Sequence, residues 1–278
     1  MIMRFAKGHG TENDFVILPD TAGALPLTAA LAARLCDRRA GIGGDGVLRV
    51  VPAEAAIAEG VDIAGDPPGW FMDYRNADGS LAEMCGNGAR VFARYLARHG
   101  LVSGTEFMIA TRAGARAVGL APGGDVTVEM GPVTIGGEGV AALGGETHQG
   151  LRVSVGNPHL ACLVDRPLAA FDLTVAPVFD PREFPAGANL ELIQLTGDGS
   201  VSMRVRERGS GETRSCGTGA VAAAAAAQRV EGGDRREWRV TVPGGTLTVT
   251  LEDGASWLTG PAVIVAEGEL DPAWLTAS

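Results

Sequence analysis

Two five-residue segments constrain this chain more than any other feature. Cys85-Gly86-Asn87-Gly88-Ala89 and Cys216-Gly217-Thr218-Gly219-Ala220 share one pattern, Cys-Gly-Asn/Thr-Gly-Ala. Each stands at the mouth of a segment that reads as a helix, and strand-like runs surround both. A motif repeated in the same context predicts a duplicated domain. A length of 278 residues allows each half its own core. The boundary is placed near Gly131-Pro132, which gives an N-terminal domain of residues 1–131 and a C-terminal domain of residues 132–262.

The intervening sequence is mostly strand-like. Phe15-Val16-Ile17-Leu18 is an apolar run closed by Pro19-Asp20. Val126–Met130, Val201–Arg206 and Thr246–Leu251 alternate apolar and polar residues, the mark of strands with one buried face. Three helices are expected among them. Thr28–Arg39 starts at a candidate N-cap threonine and ends in basic residues. Asn87–His99 sets Val91, Phe92, Tyr95 and Leu96 on one face. Thr218–Val230 is nearly all alanine, the best helix former, and its small side chains suit a helix closely wrapped by a sheet. Residues 52–69, rich in proline, glycine and acid, read as a loop insertion. The fold class expected from these elements is α/β, in two similar halves.

The two cysteine turns have a specific chemistry. A thiolate is the reactive form of cysteine. The N–H groups and dipole of a helix start stabilise an anion there, and flanking glycines let a substrate approach the backbone. The same N–H groups can seat a carboxylate. Two such mouths facing each other across an interdomain cleft would suit inversion at a carbon that carries hydrogen. One face needs a base and the other an acid, and thiolate and thiol are one group in two protonation states.

Other classes are disfavoured. The balance of 23 basic and 33 acidic residues, net −10, lacks the footprint of a nucleic-acid binder. Lys7 is the one lysine, so a pyridoxal Schiff base would have to use it. The longest uniform apolar run, Ala220–Ala227, is far below the ~20 residues that span a bilayer, and the N-terminal residues turn polar too early for a signal peptide. No membrane partner and a cytoplasmic location are expected. Four cysteines are too few for a disulfide scaffold, and no Cys-x-x-Cys or His-x₃-His pair is present to nucleate a metal site. Cys36 and Cys162 read as core packing. Gly41-Ile42-Gly43-Gly44-Asp45-Gly46 fits G-x-G-x-x-G, but it follows a helix and precedes a strand, the reverse of a dinucleotide site.

Five motifs occur in order: His9-Gly10-Thr11-Glu12-Asn13-Asp14-Phe15, Asn76-Ala77-Asp78-Gly79-Ser80, Met84–Gly88, Gly156-Asn157-Pro158-His159 and Glu207–Gly219. Together they resemble the diaminopimelate epimerase family over essentially the whole chain. The resemblance implies two pseudo-symmetric domains, each a curled mixed sheet around a central helix. It also implies a return of residues 263–278 to the first domain, a homodimer, and an active site between the domains that needs neither cofactor nor metal. The implied reaction interconverts LL- and meso-2,6-diaminoheptanedioate. Cys85 and Cys216 then match the catalytic bases, Cys85 taking the hydrogen from the LL isomer. Asn13, Asn76, Asn157 and Asn189 match substrate-binding positions. Gly86, Asn87, Gly217 and Thr218 match the amides that hold the reacting carboxylate. Arg208 matches the clamp on the distal carboxylate, and Glu207 a group near the ammonium. His159 and Glu207 match positions that tune the cysteines.

Two departures stand out: Gly46 where many members have Gln, and Thr11-Glu12 where Leu-Gly is frequent. Taken singly, the asparagines also fit turns and His159 a structural role. Two rival readings are a two-cysteine proline or hydroxyproline racemase and a silent amino-acid-binding protein. The Glu207-Arg208 pair speaks against the first and the paired cysteines against the second.

Overall fold

The alternating runs form strands, and the two helices behind the cysteine motifs become the centres around which those strands wrap. The computed structural model describes residues 3–63 and 67–276. The chain divides into two compact units, one of residues 3–128 and 261–276, the other of residues 129–260. Its helices are α1 (Ala29–Cys36), α2 (Ala53–Ala58), α3 (Gly86–Arg98), α4 (Gly217–Glu231) and α5 (Pro272–Thr276).

In the first unit the sheet runs, neighbour to neighbour, through Val263–Leu270, Met3–Gly10, Asn13–Pro19, Gly46–Pro52, Trp70–Asn76, Glu106–Thr111, Gly114–Leu120 and Asp125–Glu129. The successive pairings are antiparallel, antiparallel, parallel, antiparallel, parallel, antiparallel and antiparallel. In the second unit the order is Thr134–Leu143, Glu146–Ser154, Pro158–Leu163, Asn189–Gly197, Ser200–Glu207, Glu237–Val242, Gly245–Glu252 and Ala255–Pro261. Its pairings follow the same series of senses. Two mixed sheets with identical strand order and identical sense are the structural counterpart of the repeated motif.

Each sheet curls around its helix. α3 touches the strands Met3–Gly10, Val263–Leu270, Asn13–Pro19, Gly46–Pro52, Trp70–Asn76 and Gly114–Leu120. It is buried on almost every side from Gly86 to Ala93, with Tyr95 and Leu96. α4 is more enclosed still, with Gly219 through Ala227 all buried. A helix buried all round must be apolar all round. Alanine meets that demand while letting strands lie close to the helix backbone.

Local differences from the sequence expectations have local causes. α1 starts where Thr28 Oγ1 accepts from Leu31 N but stops at Cys36. The extended Asp37 turns the chain there, and its carboxylate accepts from the backbone N–H groups of Arg39 and Ala40, both at 2.7 Å. Arg38 and Arg39 thus lie beyond the helix rather than in its last turn. The segment 52–69 is not simply a loop. Pro52 precedes α2, whose Ala53 and Ala56 pack into a small core with Val51, Phe71 and Ala110. The proline, glycine and acidic residues around it masked that helix. Residues 64–66 lie outside the described part. The glycine-rich turn at 41–46 does connect α1 to the strand Gly46–Pro52, a helix-to-strand context.

Candidate active site

The matched registers turn the two sheets into two matched half-sites. In the first unit Phe15 pairs with Gly46, and Gly46 with Asn76. In the second, His159 pairs with Asn189. Glu207 faces Asn189 one step beyond the Leu190–Arg206 pair. Asn13 therefore corresponds to Asn157, Gly46 to Asn189, Asn76 to Glu207, and Phe15 to His159. The cysteines correspond too, each as the N-cap of its central helix. Cys85 has φ −140° and ψ 116°, and its sulfur accepts from Gly88 N at 3.3 Å. Cys216 has φ −127° and ψ 120°, and accepts from Gly219 N at 3.4 Å. A sulfur here takes the place of the usual cap oxygen. The first-turn N–H groups beside it have no acceptor within the helix, so each mouth favours an anion.

In the first half-site, Asn13 is the hub. It is almost fully buried. Its Oδ1 lies 3.7 Å from Cys85 Sγ and accepts from Asn87 Nδ2 at 3.2 Å. Its own amide donates to Asp45 Oδ2 at 2.7 Å. Behind Asp45 stands a balanced group of charges. Arg38 bridges Asp14 and Asp45 at 2.7 Å each, and Lys7 donates to Asp14 and to the carbonyl of Gly43. Burial alone would raise Asp14, but hydrogen bonds from Arg38 and Lys7 outweigh it and hold the carboxyl down at about 2. Asp14 therefore stays anionic and anchors Arg38, which in turn holds Asp45, the acceptor of the Asn13 amide. Asn76 ends its strand with Nδ2 donating to Ser80 Oγ at 3.0 Å.

In the second half-site a relay of polar atoms leads away from the sulfur. Cys216 Sγ lies 3.5 Å from Thr218 Oγ1, which accepts from Asn157 Nδ2 at 3.3 Å. Asn157 Oδ1 is 2.9 Å from His159 Nε2, and His159 Nδ1 is 2.7 Å from Glu191 Oε1. His159 and Glu191 are wholly buried. Asn189 Oδ1 accepts from the backbone N–H of Arg208 at 2.8 Å. Glu207 accepts from Thr213 Oγ1 at 2.5 Å. The Arg208 side chain is exposed, with one nitrogen on the carbonyl of Ala186 at 3.2 Å. Burial pushes the Cys216 thiol well up, and Glu207 and Glu191 push it further. The Thr218 hydroxyl and the Gly219 N–H pull the other way but do not prevail.

The remaining cysteines differ. Cys36 and Cys162 are buried among apolar side chains, and desolvation raises them to about 11 and about 12. Both are inert packing thiols at neutral pH. Among the described residues, no three His, Cys, Asp or Glu side chains converge as a metal-ligand group.

The model of the diaminopimelate epimerase family matches residues 5–136 and 151–269, nearly the whole chain. The chain belongs to the diaminopimelate epimerase family. A diaminopimelate epimerase of Thermobifida fusca is 59% identical, covering 96% of this chain and 98% of the relative. One of Mycolicibacterium smegmatis is 54% identical over 98% of each chain. Among solved structures, a phenazine biosynthesis protein of the PhzF family from Bacillus anthracis gives a TM-score of 0.69 at 16% identity, covering 97% of this chain and 99% of the other. A hydroxyproline epimerase from Agrobacterium vitis gives 0.65 at 16% identity, covering 98% and 94%. At such low identity these two establish the fold alone.

Within this epimerase family fold, Asn13, Cys85, Gly86 and Asn87 gather at the mouth of α3, with Asn76 ending the strand that precedes that turn. Asn157, His159, Cys216, Gly217 and Thr218 gather at the mouth of α4, with Asn189 and Glu207 opposite each other in the adjoining strands. Sequence reasoning missed Asp45, Glu191 and Arg90. Glu191 shares a strand face with Asn189, two residues away, in a run that is buried from Asn189 to Ile193; a carboxylate in an otherwise apolar buried run was the available signal. Gly46 has a steric reason to lack a side chain: a β-carbon there would lie 2.6 Å from the carbonyl oxygen of Arg75 and from the Tyr74 ring. Thr11 and Glu12 both take left-handed backbone, with φ 50° and 61°, and Thr11 is buried while Glu12 is exposed.

Proposed function

We propose that this chain interconverts LL- and meso-2,6-diaminoheptanedioate by moving one proton off and another onto a single α-carbon, with Cys85 and Cys216 as the two bases. In the LL-to-meso direction the Cys85 thiolate takes the α-hydrogen as a proton and becomes a thiol. The electron pair left on carbon is stabilised by the adjoining carboxylate. The Cys216 thiol delivers its proton to the opposite face and becomes a thiolate. The return reaction exchanges the roles.

The single observation that carries this reading is the pair of cysteine N-caps at equivalent points of two matched sheets. The amides of Gly86-Asn87 and Gly217-Thr218 are the groups that hold the reacting carboxylate. As developing charge accumulates there, each donor is worth roughly 2.7–4 kcal/mol by analogy with other oxyanion sites. Asn13, Asn76, Asn157 and Asn189 orient the substrate. Glu207 takes the distal ammonium and Arg208 the distal carboxylate, a fork-shaped cation matched to a two-oxygen anion. These two residues favour a diamino diacid over proline-type substrates, which have no second carboxylate and ammonium.

The reading extends to a homodimer in the cytoplasm. The strand Val263–Leu270 pairs on one side with Met3–Gly10 and carries exposed Val263 and Val265, apolar surface that a second copy would cover. Size-exclusion chromatography with light scattering measures this directly.

The mechanism is tested in D₂O. Purified protein is mixed with the LL isomer, and the meso product is separated on a chiral column and weighed by mass spectrometry. Each inverted centre is expected to carry one solvent deuterium, and Cys85→Ala and Cys216→Ala each to abolish net epimerisation. Product that retains the original hydrogen, or turnover that survives either substitution, overturns the two-base reading.

A further inference from the structure

The two half-sites match in backbone but not in charge. Five residues beyond Cys85 stands Arg90; five beyond Cys216 stands Val221. Arg90 has no solvent exposure at all. Its Nη2 donates to Thr11 Oγ1 at 3.3 Å, while its Nε and Nη1 have no hydrogen-bond partner among the described residues. A fully buried cation with two unanswered N–H positions is costly unless a nearby anion compensates it. Arg90 packs against the wall of the first half-site: a β-carbon on Gly10 would lie 2.9 Å from its Nη2 and 3.1 Å from the Asn87 carbonyl. Burial lowers the Arg90 guanidinium to about 10, which leaves it charged at neutral pH, and the groups that pull it back up are Cys85 and the exposed Asp125.

The second half-site carries the opposite sign. Where the first has Phe15 and Leu48, the second has His159 and Glu191, in the same registers. A β-carbon on Gly219 would lie 2.8 Å from Glu191 Oε1 and 3.3 Å from Cys216 Sγ, so carboxyl and sulfur flank the same glycine. Glu191 Oε2 has no hydrogen-bond partner among the described residues, and Glu207 acts on the same sulfur from the neighbouring strand.

We propose that Arg90 is a positioning residue which holds Cys85 as the thiolate of the resting protein, while the carboxyls of Glu191 and Glu207 hold Cys216 as the thiol. The proposal rests on the reading of the two cysteines as base and acid, and deepens it by assigning the starting state. Lys7 and Arg38 balance Asp14 and Asp45 behind Asn13, and Glu12 and Glu83 are exposed. On the Cys216 side, His159 is engaged by Glu191 and Asn157.

The test reads protonation without turnover. The protein is pulsed with iodoacetamide from pH 5 to pH 10, digested, and the Cys85 and Cys216 peptides are quantified separately. The pH midpoint is compared rather than the rate, because Cys216 is the more buried. The Cys85 midpoint is expected about one unit or more below that of Cys216. Arg90→Gln is expected to raise the Cys85 midpoint and leave that of Cys216 in place, and Arg90→Lys to bring it back. A lower midpoint for Cys216 in the unsubstituted protein overturns the proposal whatever the variants do. So does an unmoved Cys85 midpoint in folded Arg90→Gln. A protein with the expected midpoints but no epimerase activity leaves the charge assignment standing and removes the proposed reaction.

Discussion

Gly219 shows how much at the residue scale depends on a single missing side chain. It lies one turn into α4, where alanine would ordinarily favour the helix by up to ~1 kcal/mol. Yet its β-carbon would crowd both Glu191 Oε1 and Cys216 Sγ. The nearest neighbours of a β-carbon on its counterpart Gly88 would be Leu48 Cδ2 at 3.3 Å, Cys85 Cβ at 3.4 Å and the Phe15 ring at 3.5 Å, apolar atoms that can give slightly. Gly219→Ala is therefore expected to lower kcat/KM about ten- to a hundredfold, the scale on which small displacements of reacting groups act. Gly88→Ala is expected to cost less. Steady-state kinetics on both variants checks the order, and equal losses would contradict it. The cysteines and the asparagines around them were readable from motif and spacing. Arg90 and Glu191 were not. Both are charged residues in the interior, where composition alone predicts none. Arg90 also sits off the Val91-Phe92-Tyr95-Leu96 face, so it resembles a solvated helix position until the surrounding strands are known to enclose α3.

Elements were readable to the extent that one face of each was dry. The alternating strands stood out for that reason, and α3 showed its apolar stripe. α4 shows no stripe because every side of it is covered, and its alanine content is the signature of that enclosure. This gives a sharp expectation. Ala224 is fully buried on a helix touched by the strands Glu146–Ser154, Pro158–Leu163, Asn189–Gly197, Ser200–Glu207, Glu237–Val242 and Gly245–Glu252. Ala224→Leu adds three carbons where strands approach from around the helix. Overpacking of this kind costs about 1–3 kcal/mol, which should appear as a lower urea midpoint. An unchanged midpoint would mean that the sheet can open around α4 without strain. Helix ends were less legible, because α1 is terminated by the side chain of Asp37 rather than by a change in periodicity, and α2 is short and hidden in a segment whose composition reads as loop.

At the scale of the whole chain, the repeated cysteine motif was the visible trace of duplication, but the sequence does not display the shared strand order behind it. That order emerges only from long-range pairings, including one that joins opposite ends of the chain. Val263–Leu270 pairs with Met3–Gly10 over nearly its full length, with one irregularity after Lys7, and it also touches α3. Leu270 enters a core with Val16, Leu18, Leu35 and Val47, and Trp274 and Leu275 pack on that core. Trp274 Nε1 donates to the Ala40 carbonyl at 2.8 Å, and the Arg34 guanidinium lies over the Trp274 ring at 4.6 Å. The last strand and α5 are therefore structural parts of the first unit, as integral as its N-terminal strand. A chain ending at Gly260 would leave Met3–Gly10 as an unpaired edge and open one side of α3 to water, with no comparable loss in residues 129–260. Limited proteolysis of that shortened chain is expected to cut rapidly within residues 3–128 while sparing 129–260, because strands without their neighbour lose both backbone hydrogen bonds and the apolar cover that makes them cooperative. Equal protection of both stretches, matching that of the intact chain, would show that the N-terminal strands close around α3 without help from the C-terminus.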